Sequence, residues 1–339
     1  MRILIISPTQ SGIGGIAQHI QGLSNFLKSN DHTVEIISSE NTFTVPIKGL
    51  KNPSFMLSAS LKAKFKKGND IVHAFNIPSA LAMKSSSGKK VLTIHGIFSD
   101  QIGILHGELS HKLSDKFEKE AFDLADAVTA GSKESYEHYS KLGTKVSHIP
   151  NAIDIESLTS EVDVRYEKQI IFAGRLSKEK GILTVLETAQ DLPEDIHLII
   201  IGKGPEENAV IEHAKKFTNT HFLGYQPKEK TISLIRGSKL LIQPSFVEGI
   251  STTLLESMSC KTPIIASNVG GNKELLLHNK TGVLIEPGNP KELLKEILGI
   301  LDDSKRIDDI TKSAYDEVQN YDWSNVGKLY LNLYEKLLG

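Results

Sequence analysis

The sequence predicts an α/β protein of two Rossmann-like domains, each with a parallel sheet. Three observations carry this. Short apolar runs such as residues 3–6, 71–75 and 170–173 read as strands buried on both faces. Helical stretches alternate with them along the chain, the rhythm of βαβ units. The rhythm pauses at the charged, irregular stretch 156–168 and restarts at Ile170. A length of 339 residues suits two domains rather than one. At 39% hydrophobic residues the chain can build their cores, which excludes a disordered protein.

The first domain opens with strand 3–6. A glycine-rich stretch follows, Ser11-Gly-Ile-Gly-Gly-Ile, and then a helix with Ile16, Ile20, Leu23 and Leu27 at helical spacing. Gly12-x-Gly14-x-x-Ala17 fits the dinucleotide fingerprint, and Glu40 stands just after the next strand, 34–38. Taken alone, these residues suit an oxidoreductase. Any phosphate-facing βα turn needs glycines just as much, because the backbone must approach the ligand closely.

No acidic residue lies between Glu40 and Asp70, while Lys48, Lys51, Lys62, Lys64, Lys66 and Lys67 do. Leu57, Leu61 and Phe65 fall at four-residue spacing. The stretch suits a membrane surface or an anionic acceptor; the plainer alternative is a solvated helix packed on the first domain. Further strands are expected at 71–75, 91–94, 127–130 and 146–149, with helices at 110–124 and 133–141. His95 directly follows strand 91–94, at the strand end where open α/β sheets bind ligands. His73 falls inside a strand and reads as packed.

In the second domain, strand 170–173 leads into the loop Gly174-Arg-Leu-Ser-Lys-Glu-Lys-Gly181 and a helix at 182–189. Arg175 offers a fork suited to phosphate and Lys180 a point charge. Strand 197–201 and helix 206–217 come next. Strand 240–243 then stops at Pro244, and a turn with Gly249 and Ser251 opens a helix at 252–259. The N-terminus of that helix is a ready anion site. Glu248 and Glu256 bracket it. Carboxylates suit sugar and ribose hydroxyls rather than phosphate, so phosphate and hydroxyls together describe a sugar nucleotide. The alternative is structural: Thr253-x-x-Glu256 fits a capping box, and Glu248 is then a solvated loop acid. Helices at 290–301 and 304–320 follow, and a last one carries Leu329, Leu333, Leu337 and Leu338.

Pro244-Ser, then Glu248-x7-Glu256, then Pro263-Ile-Ile-Ala-Ser-Asn-Val-Gly-Gly271 and Glu274 together resemble the donor-site signature of family 4 of the retaining GT-B glycosyltransferases. Gly174-Arg-Leu with Glu179-Lys-Gly, Leu92-Thr-Ile-His95-Gly and Pro150-Asn-Ala-Ile-Asp154 resemble other segments of that family. One departure is that Ile250, Ser251 and Thr252 stand where many members read Phe-Gly-Leu, so donor preference does not carry over. The resemblance implies a GT-B fold, two Rossmann-like domains facing across a cleft. It implies an acceptor-side domain at 1–155, a nucleotide-sugar domain at 165–320 and a helix at 321–339 crossing back to the first domain.

The implied reaction passes a sugar from a nucleoside diphosphate to a hydroxyl of a glycan, glycolipid or small molecule, with retention. A GT-B-fold sugar-nucleotide epimerase is an alternative. His95 and Glu248 would be catalytic. Gly14, Gly15, Arg175, Lys180, Glu248, Gly249, Ile250, Ser251, Thr252 and Glu256 would bind the donor. No cofactor is expected beyond the sugar nucleotide as co-substrate. No metal is expected either, since no Asp-x-Asp occurs. A net charge of −2 provides no field to recruit nucleic acid. No apolar run reaches the roughly 18 residues of a bilayer span. The expected location is the cytosol, with peripheral membrane contact through residues 48–67.

Overall fold

The computed structural model describes residues 1–11, 15–47, 50–96 and 117–339. The chain divides into two compact units, residues 1–153 with 323–339, and residues 154–322.

Unit 1 holds six strands: β1 Arg2–Ile6, β2 Thr33–Ile37, β3 Ile71–Phe75, β4 Lys89–Ile94, β5 Ala127–Ala130 and β6 Val146–His148. They form one parallel sheet in the order β2-β1-β3-β4-β5-β6. Helices α1 Gly15–Ser29, α2 Lys51–Lys64, α3 Ile77–Met83 and α4 Lys133–Lys141 connect them, with a helical turn over 117–123. Strand β3 is buried throughout, as a strand covered on both faces must be. One face packs on Phe55, Ala59 and Met83. The other packs on Ile20, Leu23 and Leu27, and on Trp323, Tyr330 and Tyr334.

Unit 2 holds β7 Lys168–Ala173, β8 Ile196–Ile201, β9 Thr220–Phe222, β10 Leu240–Gln243, β11 Ile264–Ser267 and β12 Val283–Ile285. Its helices are α5 Ile182–Ala189, α6 Glu207–Lys216, α7 Lys228–Arg236, α8 Thr252–Ser259, α9 Asn272–Leu275, α10 Pro290–Leu301 and α11 Ser304–Val318. The sheet order is β12-β11-β10-β7-β8-β9, again parallel. This is the doubly wound order, with its reversal between β7 and β10. A crevice for ligand lies outside the carboxyl ends of strands at such a reversal. The loops 174–181 and 244–251 both leave from that point.

One sequence expectation changes, the place of the boundary between the units. The unit boundary falls at 153/154, ahead of the expected linker; Leu158 is buried, and its carbonyl accepts from Arg236 at 3.2 Å. The last helix, α12 Trp323–Leu338, belongs to unit 1, where Trp323 N donates to the Ile153 carbonyl at 3.0 Å. Helix α2 packs through the row Phe55, Ala59 and Ala63, not through the row Leu57, Leu61 and Phe65. Leu57, Leu61 and Phe65 point to solvent. The two rows are offset by two residues, about 200° around a helix, so only one can meet the core.

Candidate active site

In unit 2, Pro244 ends β10 and turns the chain into the loop that carries Glu248. The Glu248 carboxylate is gripped from three sides. Lys180 Nζ donates to both oxygens, at 2.7 and 2.6 Å. Gln243 Nε2, on the last residue of β10, donates to Oε2 at 2.7 Å, and Ser245 Oγ at 3.2 Å. Gln243 also exchanges hydrogen bonds with Ser251 Oγ. The Glu248 side chain is 9% exposed, so this ion pair lies largely out of water. Lys180 and Glu248, 68 residues apart in sequence, meet because β7 and β10 are neighbours.

Two glycines allow the loops to close this tightly. Gly181 adopts a left-handed φ of 71°, and a Cβ there would sit 1.9 Å from the Pro244 carbonyl oxygen. A Cβ on Gly271 would sit 2.3 Å from the Gly249 carbonyl oxygen. Gly271 N donates to the Glu248 carbonyl at 2.9 Å. The Val-Gly-Gly segment after β11 is therefore the floor beneath Glu248 and Gly249.

The helix that follows is capped by Ser251, whose Oγ accepts from Leu254 N. This overturns the capping-box reading. With Ser251 as cap, Glu256 is the fifth helical residue, beyond the third position from which a capping-box glutamate reaches back. Glu256 is buried and pairs instead with Lys228 of α7. Burial raises its carboxyl above the ordinary range, and the neighbouring Lys228 opposes the rise. Ile250 is buried, and Thr252 opens the helix with its N–H outside the helical ladder.

Arg175 does not join the Lys180–Glu248 cluster. Its guanidinium is mostly exposed and donates to Glu179 at 3.2 Å. The structure thus brings together Lys180, Glu248, Gly249 and Ser251, puts Glu256 in a separate buried pair, and leaves Arg175 on the loop surface.

In unit 1, His95 lies at the carboxyl end of β4. Its backbone N–H donates to Asn76 Oδ1 at 3.1 Å. Asn76 itself has a φ of 62° with ψ of 161°, a strained conformation for a residue with a side chain, of the kind that gathers at functional sites. Beneath His95 lie two more buried imidazoles. His19 meets Tyr330 Oη at 3.1 Å; His73 meets Tyr334 Oη and Thr93 Oγ1, each at 2.6 Å. Burial holds all three histidines low, His95 at about 4 and His73 at about 3. A hydrogen bond to the Asn151 side chain, which favours the protonated ring, partly offsets this at His95. Gly15 begins α1; Gly12 and Gly14 lie outside the described residues. Glu40 does not stand clear for a ribose. Its Oε1 accepts from Gln10 N and Ser11 N, at 3.1 and 2.7 Å, and these bonds lower its carboxyl below the usual range.

Sequence reasoning missed Gln243, Ser245, Lys228 and Asn151. For Asn151 a signal existed, the Pro-Asn turn itself. Lys228 had none, since its helix was not anticipated and its partner lies 28 residues away.

Residues 13–157 match the family described as Glycosyltransferase Family 4, and residues 160–317 the family described as Glycosyl transferases group 1. An uncharacterized glycosyltransferase of Methanocaldococcus jannaschii is 25% identical over 99% of both chains. Among solved structures, sucrose-phosphate synthase from Thermosynechococcus elongatus superposes with a TM-score of 0.82 at 19% identity, covering 99% of this chain and 98% of that one. HepE of Anabaena, in a complex with UDP-glucose, superposes with a TM-score of 0.77 at 18% identity, over 99% of this chain and all of that one.

Proposed function

Because the chain belongs to the family 4 glycosyltransferases of GT-B fold, we propose that it moves a sugar from a nucleoside diphosphate to a hydroxyl acceptor, with retention and without a metal ion. The observation that carries this is the Lys180–Glu248 pair, held at the strand reversal of unit 2 beside the N-terminus of α8. An ammonium and helix N–H groups suit a diphosphate; a carboxylate suits sugar hydroxyls. The HepE complex supports a nucleotide sugar as the donor class.

In this reading Lys180, Arg175 and the first turn of α8 stabilise the charge that grows on the departing diphosphate. A lysine has three N–H donors. Glu248 takes two of those on Lys180, and the third serves a phosphate oxygen. Glu248 orients the sugar, Glu256 the ribose, and Gly249 to Thr252 line the phosphates. The family resemblance assigns Gly14 and Gly15 to donor binding as well. His95, neutral at physiological pH, offers a hydrogen bond to the sugar ring. The bond from the anomeric carbon to the phosphate oxygen breaks, and a bond to the acceptor oxygen forms on the same face. The acceptor's proton passes to the leaving phosphate, so no protein nucleophile is needed.

A thermal-shift panel of UDP-, GDP- and ADP-sugars tests the donor class. A ligand at 100 times its dissociation constant stabilises by about 2.7 kcal/mol. Stabilisation by a sugar nucleotide, with release of nucleoside diphosphate only when an acceptor is added, is the expected result. Stabilisation by NADH alone would return the oxidoreductase reading; a converted sugar nucleotide without acceptor would indicate an epimerase.

A further inference from the structure

Residues 41–69 contain no aspartate or glutamate. Within them six large apolar side chains stand in solvent: Phe43, Ile47, Leu50, Leu57, Leu61 and Phe65. Single exposed apolar residues are ordinary, but a row is not. Phe65 is 81% exposed, Phe43 76% and Leu57 72%, so none is shielded by its neighbours.

The arrangement on α2 is specific. At about 100° per residue, Leu50, Leu57, Leu61 and Lys64 fall within about 60° of one another, on the side opposite Phe55, Ala59 and Ala63. The helix therefore has two apolar faces, and the core uses only one. Lysines border the other. Lys62 hydrogen-bonds Asn41 and Lys66 pairs with Glu35 at 2.7 Å, but Lys51, Lys64 and Lys67 make no ion pair among the described residues.

We propose that this face docks on an anionic lipid bilayer. The outward side chains enter the boundary between headgroups and acyl chains, and the lysines meet the phosphates. Charge complementarity decides the occupant. A second copy of this chain would set lysine against lysine, whereas an anionic bilayer supplies the missing negative charge. No helix among the described residues is long and apolar enough to cross a membrane, so the contact is peripheral. Apolar insertion and charge attraction act together in such contacts.

The test uses the full chain with equimolar phosphatidylglycerol–phosphatidylcholine vesicles and with pure phosphatidylcholine vesicles, by co-sedimentation. The expected result is binding to the anionic vesicles only, weakening as salt is raised. Changing Lys51, Lys64 and Lys67 to Gln should weaken it by roughly a hundredfold. Changing Leu57, Leu61 and Phe65 to Ser should also abolish it. These side chains are exposed, so the melting temperature should hold in both variants. The proposal does not rest on the donor reading, because vesicle binding is measured without donor. No binding of wild type to anionic vesicles at low salt would overturn it. So would variants that bind like wild type, or wild-type self-association that the serine variant removes.

Discussion

Glu256 is a carboxylate almost wholly removed from water, and burial raises its pKa above the usual 4.5. For an acid with a raised folded value, the folded state holds the proton through a window upward from the unfolded value. Its stabilising contribution is lost as pH rises through the folded value. At neutral pH the ionised group therefore costs stability. Lys228, the ion partner, is partly exposed and can be hydrated without it. Glu256→Gln should thus melt no lower than wild type near pH 8, while nucleoside diphosphate binds roughly ten- to hundredfold more weakly, the loss of a charged hydrogen bond worth about 1.5–3 kcal/mol. Calorimetric titration beside a melting curve checks both halves. Unchanged affinity would remove Glu256 from the site. Glu248→Gln should behave differently: it puts an NH2 donor in place of one accepting oxygen and loses the ion pair to Lys180, so free nucleoside diphosphate should bind nearly normally while sugar transfer falls. A third expectation concerns charge supply. If Lys180 and Arg175 stabilise the leaving group, turnover should persist in excess EDTA; complete loss that magnesium restores would refute that assignment.

At the scale of elements, the site depends on two loops and a floor. The β7 and β10 loops touch where Gly181 meets Pro244, and the floor is Gly271 under Gly249. Both contacts are backbone against backbone, so a methyl group cannot be accommodated by turning a side chain. Gly271→Ala should destabilise by about 2–4 kcal/mol and weaken donor binding with it. Gly181→Ala should do the same, with left-handed backbone strain added. Gly174→Ala is the control: a Cβ there meets nothing within 4 Å, and stability should stay within about 0.5 kcal/mol. Urea unfolding of the three variants distinguishes them. Equal stability of all three would mean the loops are not packed as described.

At the scale of the molecule, unit 1 carries an acid sensitivity that unit 2 does not share in the same form. His19, His73 and His95 are buried together with depressed pKa values, and burial is the main cause in each. For a histidine with a depressed folded value, stability is full above the unfolded value of about 6.5 and is lost as pH falls toward the folded value. Three such groups give a slope approaching about 4 kcal/mol per pH unit below that point. The single tryptophan, Trp323, is buried in unit 1 with its ring 4.9 Å from His19, so its fluorescence reports this unit. The urea midpoint seen by Trp323 should fall steeply between about pH 6.5 and 5. An unchanged midpoint over that range would show that the imidazoles already bind protons in the folded state.

Much of this was determined locally and could be read from the chain. Strands β3, β5 and β10 have the limits that their apolar runs prescribe, because a strand covered on both faces needs an uninterrupted run. Helix α8 begins and ends where Ser251 and the stretch before Pro263 prescribe, because caps and prolines act over a few residues. Lys180 and Glu248 were legible as candidates from their residue types and the glycines beside them. Their contact was not, since it follows from β7 and β10 lying side by side, a pairing that strand order decides. The same holds for Glu256: its spacing allowed a cap or a ligand-binding acid, and only the position of α7 placed Lys228 against it. Helix α2 shows the limit most clearly. Two apolar rows, offset by two residues, are equally fit to face a core, and periodicity cannot choose between them. The choice was made by where the sheet and α3 lie, which buried Phe55, Ala59 and Ala63 and left Leu57, Leu61 and Phe65 to the solvent.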